Sequence, residues 1–213
     1  MRKFNFHQDI RVTMPSSAAA MIAYFVIFGF THSLLADHRA KRAVRNALGS
    51  TADRWYRLVY VLLSTVAVLP FFYILAFMPD RTLYTVPAPW NWLMMAGQVV
   101  SVIAVVASLK QTGFFYFFGL SQPFSARPEE SATLVTDGFY CHIRNPLFFF
   151  GTVFLWLFPF MNVNLLTFNI VATVYFYVGA LHEERSLLEE FGDAYKTYRQ
   201  RVPMIIPRIR CCS

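Results

Sequence analysis

Apolar residues run almost unbroken from Ser17 to Ala36, from Tyr56 to Met78 and from Trp90 to Leu109. Each run is close to the roughly 20 residues that an α-helix needs to cross about 30 Å of hydrocarbon. Two further runs, Leu147 to Pro159 and Leu165 to Leu181, are joined by the uncharged stretch Phe160-Met161-Asn162-Val163-Asn164. They predict a helical hairpin whose first arm is short enough to be tilted or to stop within the bilayer. Pro70 and Pro159 predict kinks or helix ends. After Leu181 the pattern turns amphipathic, with Leu187, Leu188 and Phe191 among charged residues and Gly192 as a stop. The predicted fold is an all-α integral membrane protein with five transmembrane helices, the last two a hairpin, plus a short cytoplasmic C-terminal amphipathic helix. Residues 1–213 read as a single membrane domain, with three helices in 17–109 and the remainder in 110–213.

Composition agrees, since 56% of the 213 residues are hydrophobic and only 15% are charged, against about 25% charged in a soluble domain. The first apolar run is long, lacks a small-residue cleavage site after it and runs into basic residues, so a retained helix is expected rather than a signal peptide. Net charge is +7, but the cations alternate with apolar runs, which excludes the basic face of a nucleic-acid-binding domain. Their distribution reads as topology. Six Lys and Arg lie in 37–57, three in 110–144 and six after Leu181, against three before Ser17 and one, Arg81, in the second connection. The positive-inside rule then predicts an N-terminus outside and a C-terminus in the cytoplasm, as for a bacterial inner-membrane protein, with the bilayer as the main partner. Trp55, Trp90 and Trp92 fall at the predicted boundaries, where interfacial aromatics belong. Cys141, Cys211 and Cys212 have no metal-ligand spacing, so no metal site, no disulfide framework and reduced thiols are expected.

Candidate chemistry concentrates in two places. In Tyr140-Cys141-His142-Ile143-Arg144-Asn145-Pro146, Asn145 suits an N-cap and Pro146 the first helical turn. The helix N-terminus, with Arg144 beside it, predicts a site for a carboxylate or phosphate, and Tyr140 a ring to stack on a base or sugar. A capped membrane helix with a snorkelling arginine fits the same residues equally well. The second place is His182-Glu183-Glu184, directly after the last run. Adjacent carboxylates there need solvent or a partner, and can bind an ammonium or a ribose hydroxyl pair. The run Phe114-Phe115-Tyr116-Phe117-Phe118 reads as an interfacial anchor, or as a wall for an apolar acceptor.

In order and spacing, Leu134-Val135-Thr136, Gly138, Tyr140, Arg144, Pro146, Glu183-Glu184, Leu187, Phe191-Gly192, Tyr195 and Val202-Pro203 resemble the isoprenylcysteine carboxyl methyltransferase superfamily of membrane methyltransferases. Phe28-Gly29-Phe30-Thr31-His32-Ser33, Lys41-Arg42, Tyr60-Val61-Leu62-Leu63-Ser64 and Phe118-Gly119-Leu120 are similar to its methanethiol S-methyltransferase-like branch. The resemblance implies an S-adenosylmethionine-dependent enzyme with 110–213 as the cofactor-binding part. It implies cofactor contacts from Ala132, Thr133, Leu134, Val135, Tyr140, Arg144, Asn145, Pro146, Leu147, Phe148, Glu183 and Glu184. Two departures stand out. The family histidine is Asn145 here and the tyrosine two past the proline is Phe148, while the arginine that holds a prenylcysteine carboxylate corresponds to Gly179.

A small or membrane-dissolved thiol is therefore the expected acceptor, methylated by in-line transfer with the protein supplying alignment and exclusion of water. The thiol must lose its proton, and His32 and Arg144 are the candidate catalytic groups. A polar residue bonded to a neighbouring helix is the plainer reading of His32. The alternatives are an isoprenylcysteine or lipid methyltransferase, a nicotinamide-dependent relative of sterol reductases, or a membrane protein that kept the fold without the cofactor site.

Overall fold

The computed structural model describes residues 6–113, 133–209 and 211, without the side chains of 6–16, 38–39 and 50–54. Ala132 and the aromatic run 114–118 lie outside the described residues. The elements are α1 (Phe6–Ala36), α2 (His38–Leu48), α3 (Ser50–Phe77), β1 (Thr82–Thr85) and α4 (Trp90–Gln111). A 3-10 turn (Gly138–Cys141), α5 (Pro146–Trp156), β2 (Phe160–Asn162), α6 (Val163–Phe191) and α7 (Asp193–Arg201) follow. Among the described residues four helices are long and apolar enough to cross a membrane, with spans at Ser17–Ala36, Trp55–Phe77, Trp90–Gln111 and Val163–Phe191. This is an integral membrane protein. The run expected as the short first arm of the hairpin forms α5, a short apolar helix whose 11 residues rise only about 16 Å, roughly half the hydrocarbon thickness.

The chain forms two compact units, Met1–Ala88 with Pro159–Val171, and Pro89–Phe158 with Ala172–Ser213. In the first unit, Met21, Phe25 and Phe28 of α1 and Phe71 of α3 are buried. Phe71 meets Phe25, Phe28 and Phe168 ring to ring at 4.1, 5.7 and 5.8 Å. Val26, Ile27 and Phe30 on α1 and Leu62, Leu63, Val66 and Leu69 on α3 are exposed. Helices apolar on every side belong in lipid. Pro70 lies inside α3, which continues to Phe77 rather than ending.

The uncharged stretch 160–164 makes a strand and a helix cap. β2 pairs antiparallel with β1, Thr85 opposite Phe160 and Tyr84 opposite Met161, with an irregularity between Thr82 and Tyr84. The first amides of α6 then need acceptors. Asp80 takes the Asn164 amide at 3.2 and 3.3 Å, and Asn162 takes that of Leu165 at 2.8 Å. The fully buried Asn164 side chain accepts from Ser17 at 2.8 Å and donates to the Pro79 carbonyl at 3.3 Å.

In the second unit, α4 lies against α5, and its buried positions are Leu109 and the small residues Ser101, Ala104 and Ser108. Ser101 and Ser108 return their hydroxyls to carbonyls one turn back, so neither leaves a donor unpaired in the bilayer. Small side chains let membrane helices approach closely, and a Cβ on Gly97 would lie 2.7 Å from Leu157. Past its apolar stretch α6 carries Glu183-Glu184 onward to Phe191, where Gly192, at φ +54°, breaks it from α7. Leu187, Leu188 and Phe191, expected on the membrane surface, instead pack with Leu134 around Tyr195, Tyr198 and Val202.

Asn164→Ala removes both side-chain hydrogen bonds that seat α6 in the first unit, and should cost about 1 kcal/mol. The check is thermal unfolding in detergent, where an unchanged midpoint would contradict that role.

Candidate functional site

Arg144 follows the 3-10 turn and precedes α5, and it is buried to 8% exposure. A guanidinium removed from water needs all its donors satisfied. Nε and Nη2 donate to the two carboxylate oxygens of Glu184 at 2.6 and 2.9 Å, a bidentate pair. Nη1 donates to the carbonyls of Arg199 and Val202 at 2.8 and 2.6 Å. The anion-binding role expected of Arg144 is thus taken by a residue of the chain, Glu184 on α6. Arg199 adds a half-exposed pair to the same carboxylate at 3.8 Å.

The Asn145 side chain makes no cap hydrogen bond, contrary to expectation. It donates to Glu184 at 3.4 Å and to the Met204 carbonyl at 3.3 Å. The tail past α7 runs beside the turn, with the amides of Arg144 and Asn145 donating to Pro203 and Met204 and that of Arg208 to His142. Pro146 stands at the first turn of α5, and the first intrahelical bond there is from Phe149 to Asn145. The amides of Leu147 and Phe148 precede it and form a donor pair at the positive end of the helix. Both residues are half-buried.

The 3-10 turn exists because Gly138 adopts φ +60°, and a Cβ there would meet the Gln111 side chain at 1.7 Å. It presents Tyr140, whose ring is buried and whose carbonyl accepts the Tyr198 hydroxyl at 2.6 Å. Burial pushes the Tyr140 hydroxyl up to about 12, opposed by the Thr112 side chain and reinforced by Glu183. Burial and then the charge of Glu184 push Tyr195 up to about 12 as well. Both phenols stay neutral donors near neutral pH. The Tyr195 hydroxyl is buried with no hydrogen-bond partner among the described residues.

Glu183 is exposed where Glu184 is buried in its ion pair. Thr133 is exposed and Val135 half-buried, while Leu134 joins the tyrosine cluster. His32 belongs to the first unit. Its Nδ1 is 3.0 Å from Ser64 Oγ and its Nε2 2.5 Å from Tyr60 Oη, both on α3.

Sequence reasoning missed Gln111, Tyr198 and the tail carbonyls. Tyr195, Tyr198 and Val202 share one helical face, a core signal; carbonyls leave no signal in sequence. The expectation of three reduced cysteines is corrected too, since Cys141 and Cys211 are joined as a disulfide with Cα atoms 5.1 Å apart. Seventy residues separate them, and the tail returning along 142–145 brings them together.

No family model matches the chain, and no solved structure matches it. Curated relatives do. Methanethiol S-methyltransferase 2 of Bradyrhizobium diazoefficiens is 32% identical over 86% of this chain and 70% of its own length. Methanethiol S-methyltransferase 1 of the same organism is 31% identical over 92% and 70%. The chain belongs to the methanethiol S-methyltransferase family. A protein-S-isoprenylcysteine O-methyltransferase of Schizosaccharomyces pombe, 36% identical over 81 residues, is similar over about a third of each chain, which fits the wider superfamily. This family member is a membrane methyltransferase, and its reaction requires a methyl donor.

Removing one partner of the buried pair strands the other charge, so Glu184→Ala should cost this methyltransferase about 3–5 kcal/mol. Glu183→Ala, at an exposed position, should cost less. Parallel melting curves decide, and equal losses would contradict the division of the two carboxylates.

Proposed function

We propose that this chain transfers a methyl group from S-adenosylmethionine to a small neutral thiol of the methanethiol kind. One observation carries the acceptor class. The Phe148 ring lies beside Gly179, where a Cβ would meet it at 3.4 Å. The departures at Phe148 and Gly179 therefore fall at one place and leave an apolar wall. Phe176 extends it, its ring tilted against Phe148 with centroids 5.9 Å apart and packed on Gly151. Apolar rings give a carboxylate no charge to pair with, whereas a neutral thiol needs only apolar contact.

The residues present fit an amino-acid-bearing nucleoside. The amides of Leu147 and Phe148 suit a carboxylate, exposed Glu183 an ammonium, and the Tyr140 ring an adenine face. The unpartnered Tyr195 hydroxyl is a further donor beside Glu184. The sulfonium supplies an electrophilic methyl, which the thiolate sulfur takes as the sulfonium bond breaks. Arg144 is on this reading a positioning residue, holding the turn against the tail. His32, engaged on both ring nitrogens, holds α1 to α3, and the thiol proton leaves to solvent. The distribution of Lys and Arg supports a cytoplasmic face for the site and an inner-membrane location.

Calorimetric titration of the detergent-purified protein with S-adenosylmethionine, S-adenosylhomocysteine and NADPH tests the donor. Binding of the first two is expected, weakened about tenfold or more (about 1.4 kcal/mol) by Tyr140→Ala and by Glu183→Ala. No binding of either, or binding of NADPH alone, contradicts the reading.

Gly179→Arg should drive a cation into the Phe148 wall. Headspace dimethyl sulfide formed from methanethiol should fall about tenfold or more, with donor affinity unchanged. Full activity in this variant would contradict the assignment of the acceptor wall.

A further inference from the structure

Cys141 closes the 3-10 turn, His142 follows it, and Cys211 arrives on the tail. The tail is fixed alongside by the amide of Arg208 on the His142 carbonyl at 2.9 Å and those of Arg144 and Asn145 on Pro203 and Met204. His142 is held in one orientation. Its Nδ1 lies 2.8 Å from the Arg208 carbonyl oxygen, and because a carbonyl only accepts, Nδ1 carries the proton. Nε2 keeps its lone pair, and it faces Cys211 Sγ at 3.4 Å. A backbone carbonyl that fixes the tautomer in this way is the usual support behind a metal-ligating histidine. One ligand atom from each of the three residues lies within 4.8 Å of the others.

Bonds of about 2.3 Å to sulfur and about 2.0–2.1 Å to nitrogen put the ligands of a tetrahedral zinc ion roughly 3.5 Å apart. The His142–Cys211 separation of 3.4 Å already matches such an edge. Two sulfurs that approach closely enough to bond also approach closely enough to share an ion. Two thiolates and an imidazole select zinc-class ions over hard cations such as magnesium or calcium.

We infer that, with the Cys141–Cys211 bond reduced, Cys141, His142 and Cys211 form a zinc-binding site that fastens the tail to the turn bearing Tyr140 and Arg144. Disulfide and metal are then alternative closures of one clasp. Thiol–disulfide exchange with two equivalents of a low-molecular-weight thiol, which leave as their own disulfide, yields the two cysteine thiols. A divalent ion then takes two thiolate sulfurs and the Nε2 lone pair and releases two protons.

The test uses the full-length protein in detergent, reduced with a phosphine under anaerobic conditions and titrated with Co2+, then with Zn2+. One equivalent of Co2+ should give a near-ultraviolet thiolate-to-metal absorption that Zn2+ abolishes. Cys141→Ser should remove it and His142→Ala should weaken binding tenfold or more. Oxidation of the wild-type protein with a disulfide-forming reagent should abolish binding and renewed reduction restore it, a control that requires no substitution. The inference is overturned if reduced wild-type protein shows no such absorption, if the absorption survives Cys141→Ser, or if oxidation leaves it intact.

Discussion

The second unit depends on one buried ion pair. Arg144 and Glu184 lie 40 residues apart in sequence and meet bidentately at 2.6 and 2.9 Å. Such a pair is tolerated because further oxygens and donors surround it. Arg199 and Val202 supply carbonyls to Nη1, and Asn145 adds an amide to Glu184. Satisfying one guanidinium thus ties together the turn before α5, the extension of α6, the end of α7 and the tail. Tyr198 adds a second tie by donating to the Tyr140 carbonyl. The proposed donor residues Tyr140, Leu147 and Phe148 are positioned by this frame.

The membrane shapes what lies around it. With no water in the hydrocarbon, each backbone group and hydroxyl needs an internal partner, and the chain supplies them locally. Ser101, Ser108, Thr152 and Thr167 return hydroxyls to carbonyls one turn back. Asp80 and Asn162 cover the first amides of α6. Residue size serves the same end, because Gly97, Gly151 and Gly179 each admit a neighbouring side chain, Leu157, Phe176 and Phe148 respectively. At Gly179 this close packing carries over into the proposed chemistry, since the ring that fills the gap also removes the polar character of the acceptor side.

The long helices were legible from hydropathy alone, and α1, α3 and α4 fall where the apolar runs predict them. The short reach of α5 was half legible, for a run ending at Pro159 gives a length but not the turn at Leu157. The β1–β2 pairing was not legible, as it joins segments nearly eighty residues apart through backbone groups. At the site, paired glutamates next to an arginine motif announced charge chemistry, and the assignment of roles within it was hidden. Glu183 and Glu184 differ by one position on a helix, about 100° of rotation, and only the packing of α6 decides which one is buried. Asn145 looked like a cap because its residue type favours caps, yet the donation of its Nδ2 to Glu184 and to the Met204 carbonyl orients the amide elsewhere. The cysteines lacked any spacing rule, since their meeting depends on the course of the tail.

A structure of the protein with S-adenosylhomocysteine bound tests the central claim most directly. The account predicts the nucleoside against Tyr140, the carboxylate at the amides of Leu147 and Phe148, and the Arg144–Glu184 pair intact behind them. A nucleoside bound away from the turn before α5, or an Arg144 released from Glu184 to grip the ligand, would contradict it.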